Sequence, residues 1–105
     1  MPAQTMPHIW RDASNEAWID DTGYKVVMIA GEHLAHGWSA EALHENHPDL
    51  SLAQIHAALA WFYDHLEEME SQIQAGQNKA ESILETWGDN AVQQRLSRLK
   101  AQRVS

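Results

Sequence analysis

Two short, sharply punctuated turns between Val27 and His65 constrain this chain more than any other feature. The first is His36-Gly37-Trp38-Ser39 and the second is His47-Pro48-Asp49-Leu50-Ser51. Gly37 suits the left-handed position that closes a helix begun near Val27. Ser39 then caps a second helix, with Trp38 and Leu43 at the positions of a hydrophobic staple. Pro48 ends that helix, because the residue before a proline is driven out of helical angles. Ser51 and Gln54 form a capping box for a third helix, and Leu50 with Ile55 a second staple. Short helix, tight turn, short helix, tight turn, long helix is the pattern of a helix-turn-helix unit.

The rest of the chain is read around that unit. Residues 1–16 hold two of the prolines and are expected to form a loose arm. Ala17-Trp18-Ile19, Asp20-Asp21-Thr22-Gly23 and Tyr24-Lys25-Val26-Val27 predict strand, turn, strand. On the third helix, Leu52, Ile55, Leu59, Phe62, Leu66, Met69 and Ile73 recur at spacings of three and four. That periodicity predicts one unbroken helix of about 22 residues, about 33 Å long. It would outreach its two short partners, so its second half needs another surface. Beyond Gly76, Asn78 with Glu81 predicts a helix through Trp87, and Asn90 with Gln93 a last one carrying Val92, Leu96 and Leu99. The division is therefore arm 1–16, hairpin and three-helix domain 17–75, and helical extension 76–105. The fold class is mainly α.

Composition limits the function. The net charge of −8 repels nucleic acid and anionic membranes. Arg11 and Lys25 are the only basic residues before Lys79, whereas Arg95, Arg98, Lys100 and Arg103 follow the last acidic residue, Asp89. The absence of Cys excludes disulfides and thiolate metal sites. No apolar run is long enough to span a bilayer, and no signal-peptide core is visible, so a cytoplasmic location without membrane attachment is expected.

Several constellations carry chemistry on paper. His33 with His36 and His44 with His47 are two i, i+3 pairs that could offer four imidazoles to zinc, nickel or copper. Each also fits a solvated helix face near a turn, and no metal or other cofactor is assigned. Asp20 and Asp21 occupy a turn, and Asp64, Glu67, Glu68 and Glu70 are expected on a solvated face. No nucleophile motif, zincin helix or phosphate loop is present, so no enzyme activity is expected. Trp61, Phe62 and Tyr63 point in different directions from one helix. With Leu59, Leu66, Met69 and Ile73 they are the candidates for a dimer or partner interface. Gln54 and His56, with Arg95, Arg98, Lys100 and Arg103, are the candidates for nucleic-acid or toxin contact. The basic tail also complements a helix dipole.

The segment from Trp18 to Glu70 resembles a prokaryotic family known as domain of unknown function 433. The resemblance rests on Gly37-Trp38-Ser39-Ala40-Glu41-Ala42-Leu43, on His47 through Ile55, and on Ala57 through His65. It implies a homeodomain-like three-helix fold and an antitoxin paired with a PIN-like ribonuclease toxin. Where relatives commonly carry Gly-Thr-Arg in the hairpin, this chain has Asp21-Thr22-Gly23, and a basic contact is lost.

The resulting expectation is an antitoxin-like regulatory protein, a homodimer that neutralises a cognate toxin and binds DNA only weakly by itself. The alternatives are a dimeric structural module without a DNA role and a His-rich metal-binding protein.

Overall fold

A computed structural model describes residues 4–74 and 81–102. The described chain runs β1 (Gln4–Met6), β2 (Ile9–Arg11), β3 (Ala17–Ile19), α1 (Val26–His36), α2 (Ala40–Asn46), α3 (Leu52–Asp64), α4 (Leu66–Gln74), α5 (Glu81–Gly88) and α6 (Asn90–Gln102). It is mainly helical, and its strands form one small antiparallel sheet in the order β1-β2-β3.

The sheet departs from the expected hairpin. Residues 4–11 form two strands where a loose arm was expected, and β3 pairs with β2. The Asp20–Gly23 turn forms as expected, closed by Thr22 N–H on the Ile19 carbonyl at 3.1 Å and by Gly23 at φ 83°. Its far limb, however, contributes a single bridge, Trp18 to Lys25, before α1 begins at Val26. Val26 and Val27 are β-branched, but their burial in the core outweighs strand propensity. In the β2–β3 register Ile9 faces Ile19 and Trp10 faces Trp18. Alternation sends both Ile side chains into the core, while the two indoles stack with centroids 6.0 Å apart. Asp12 gathers the loop between these strands. Its carboxylate accepts from Ser14 N–H, Glu16 N–H and the Trp18 indole at 2.8 to 3.0 Å.

The caps of the three-helix unit fall where the sequence places them. Gly37 closes α1 at φ 68°. Ser39 accepts from Ala42 N–H, and Ser51 exchanges a reciprocal pair of hydrogen bonds with Gln54. α1 packs on α3, and α2 on α3.

The long helix is broken. α3 stops at Asp64, His65 adopts φ −132° and ψ 38°, and α4 restarts at Leu66. The cause is local. The His65 ring Nδ1–H donates to the Trp61 carbonyl at 2.8 Å, and the ring stacks on Trp61 at 3.8 Å. That carbonyl is the one the His65 amide would take in a continuing helix. The amide shifts to the Phe62 carbonyl instead, at 3.1 Å. After the bend, Leu66 and Met69 turn into the chain's own core. Glu68 meets Arg11, and Glu70 meets Lys100 at 2.5 Å, so neither carboxylate is merely solvated.

The C-terminal helices complete the core. Trp87 of α5 is 1 % exposed and lies against Gly31 of α1. A Cβ at residue 31 would come within 3.0 Å of the Trp87 indole nitrogen, whose N–H donates to the Val27 carbonyl at 3.2 Å. Val92 and Leu96 of α6 are fully buried. Asp89, one residue earlier than expected, caps α6 by accepting from Ala91 N–H at 2.8 Å. Asn78 lies outside the described residues.

Candidate interaction surface

The expected seam divides into a buried part and an exposed part. Trp61, Phe62, Leu66 and Met69 are at most 5 % exposed, and Leu59 and Ile73 are partly buried against the same core. The uncovered apolar stripe from which a dimer was expected is thus covered by the chain itself. Leu52, placed in the seam by its spacing, is 40 % exposed at the first turn of α3.

What remains outside is a different face of α3. Leu52, His56, Ala60 and Tyr63 follow one another at spacings of four, four and three, with Ala53 beside them, and all are exposed. They form a stripe about 16 Å long. Tyr63 matches Leu52 at 40 % exposure. α3 contains no Lys or Arg, and its flanks carry Asp49, Asp64 and Glu67. The surface carries small and apolar side chains around His56 and is acidic at its ends.

Gln54 is not presented to a partner. Its Nε2 donates to the Asp20 carboxylate at 2.9 Å, and its Oε1 accepts from Ser51 N–H at 2.9 Å. Asp20 also meets His8 Nδ1 at 2.7 Å. The Gln54 hydrogen bond holds the Asp20 carboxyl below its usual range, His8 adds to the effect, and burial opposes it. The amide therefore fastens the β3 turn to the start of α3. His56 is exposed on the outer stripe.

The basic tail is partly internal. Lys100 pairs with Glu70 across α4 and α6, and Arg95 donates to the Leu34 carbonyl near the end of α1. Arg98 is exposed beside Arg95, and Arg103 lies outside the described residues.

The four paired imidazoles do not converge. His33 Nδ1–H donates to the Trp38 carbonyl and His44 Nδ1–H to the Leu50 carbonyl, each at 2.7 Å. His36 stacks on Trp38, and His47 bonds Glu32 at 2.8 Å. His33, His36 and His44 each brace the turn beside them, whereas His47 ties the end of α2 to Glu32 of α1. Among the described residues no three His, Asp or Glu side chains are grouped to hold a metal ion.

The sequence reading missed Ala53 and Ala60, since small residues carry no chemical signal. Their importance comes only from having nothing packed over them.

Residues 13–62 match the model of a family described as Protein of unknown function (DUF433). The matched segment contains β3, α1, α2 and most of α3, and so includes nearly all of the outer stripe. No curated protein and no solved structure gives a significant match to the chain. Among the described residues, no helix is long and apolar enough to cross a membrane.

Proposed function

We propose that this chain, with its DUF433 segment, is an antitoxin-like regulator. It grips a partner protein, a PIN-like ribonuclease toxin, with the outer stripe of α3. The observation that carries the reading is the character of that stripe: Leu52, His56, Ala60 and Tyr63 exposed on a helix without a single cation. A helix that enters the major groove needs Lys and Arg for phosphate contacts. This one has the uncharged, largely apolar side chains of a protein interface around His56, including an exposed Tyr anchor. Its acidic ends favour a partner with a basic rim. A ribonuclease carries such a rim, because it must hold a polyanion. A second copy of this chain would bring like charge instead. DNA autoregulation then requires positive charge from the partner or from the tail.

The test is co-expression with the product of the neighbouring gene, followed by binding and ribonuclease assays on the purified pair. The full chain should bind and inhibit the nuclease. Leu52→Glu with Ala60→Glu should weaken binding by about a hundredfold, on the scale of losing a central contact. Unchanged inhibition by that double variant would remove the stripe from the argument. Sedimentation separates the dimeric-module alternative. A species near twice 11.9 kDa that dissociates in the double variant assigns the stripe to a second copy. A mobility-shift series with the full chain alone should show no retention of DNA at physiological salt.

A further inference from the structure

We infer that the cleft between the end of α1 and α6 is a binding site for a phosphate monoester. The inference is independent of the partner reading, although Tyr63 borders both surfaces. The cleft is open and about 240 Å³ in volume. Leu34 and Leu99 supply an apolar wall, and His33, Tyr63, Arg95 and Arg98 a polar one. None of the lining residues is acidic.

That is unusual for a chain of net charge −8. Arg11, Lys25 and Lys100 each meet a carboxylate, from Glu68, Glu16 and Glu70 respectively. Arg95 and Arg98 meet none among the described residues. They stand three residues apart on α6, so both guanidiniums emerge on one face. Arg95 gives one N–H to the Leu34 carbonyl, which offsets the negative end of the α1 dipole and leaves its other donors available. Arg98 is not needed for that task. The rim opposite is fixed. His33 donates from Nδ1 to the Trp38 carbonyl, so its Nε2 accepts from the Tyr63 hydroxyl at 2.6 Å.

Charge matching selects the ligand. Two guanidinium forks match the nearly double charge of a phosphate monoester at neutral pH. A carboxylate or a phosphodiester brings only one charge. The Leu34–Leu99 wall offers apolar surface to a small organic body carried by the phosphate. The cleft's volume suits a small ligand rather than a duplex backbone.

Calorimetric titration of the full chain tests this with four probes: inorganic phosphate, a nucleoside 5′-monophosphate, the same nucleoside without phosphate, and a short DNA duplex. Saturable binding of one or both phosphates is expected below about 1 mM, with none by the bare nucleoside. Arg98→Gln should weaken it by about tenfold or more, while Arg98→Lys, which keeps the charge but loses the fork, should fall between. Arg98 is exposed and makes no internal bond among the described residues, so the thermal midpoint of either variant should stay within about 2 °C. Tighter binding by inorganic phosphate than by the nucleotide would keep the phosphate site and remove the role of the apolar wall. Absence of saturable phosphate binding, equal binding by Arg98→Gln, or preference for the duplex would overturn the inference.

Discussion

The Arg11 guanidinium lies over the Trp61 ring, 4.6 Å from its centroid, while two of its nitrogens donate to the Glu68 carboxylate. One side chain thus ties β2 to α3 and to α4, on both sides of the bend at His65. Arg11→Ala should lower stability by about 1 to 2 kcal/mol through loss of the forked pair and the ring contact. Arg11→Lys should recover part of this, because it restores charge without the fork. Urea denaturation at neutral pH measures both. Equal midpoints for wild type and Arg11→Ala would mean that the bend holds without this tie.

Gly31→Ala should be destabilising even though alanine is the better helix former. The propensity gain is about 0.5 to 1 kcal/mol. Against it, the new Cβ meets the Trp87 indole at 3.0 Å, and overpacking typically costs about 1 to 3 kcal/mol. Trp87→Ala should cost more, about 3 to 5 kcal/mol, and also removes the indole hydrogen bond to the Val27 carbonyl. Thermal melts decide the sign. A raised midpoint for Gly31→Ala would show that the indole is not seated against α1.

Asp20 predicts a defined acid response. Its folded pKa lies below the ordinary 3.8, chiefly through the Gln54 amide, with His8 assisting against the opposing effect of burial. A depressed carboxylate contributes stability that is present above its unfolded pKa. That contribution is lost as pH falls through the lower folded value. Stability should therefore decline below about pH 4. Asp20→Asn should flatten that decline, and Asn tolerates the positive φ of 42° at this position. Asp12 adds a second depressed carboxyl: burial raises it, but the Trp18 indole and the amides of Glu16 and Ser14 lower it further. A decline of unchanged steepness in Asp20→Asn would show that the Gln54 and His8 contacts of Asp20 do not set it.

Substitutions on the outer stripe should leave the fold intact. Ala60 and Leu52 have solvent over them, so glutamate at either should shift stability by no more than about 0.5 kcal/mol. Circular dichroism with thermal unfolding checks this, and a loss above about 2 kcal/mol would place these residues under packing that the structure does not show.

What the sequence revealed was what neighbours in sequence decide. Gly37, Ser39, Pro48 and Ser51 set helix ends through their own backbones and side chains, and each end was legible within a residue. Strand pairing of residues 4–11 was not, because Ile9 finds Ile19 only through a fold that residue patterns do not display. The bend at His65 lay hidden in a regular apolar spacing. It depends on a ring taking one carbonyl, and the periodicity of Leu59, Phe62, Leu66 and Met69 continues through it undisturbed. The basic tail read as one exposed segment, yet Lys100 pairs with Glu70 and Arg95 gives one N–H to the Leu34 carbonyl, while Arg98 stands outside both contacts.

The seating of Trp87 against Gly31 also sets an order of events in time. α1, α2 and α3 are synthesised first, but the indole that fills the space between α1 and α3 arrives from much later in the chain. Until it does, a slot lined by Gly31 and Phe62 stands open on the nascent polypeptide. Such a surface invites association with chaperones or with unfinished neighbours. Completion of the packing between α1 and α3 therefore awaits synthesis of the segment that carries Trp87.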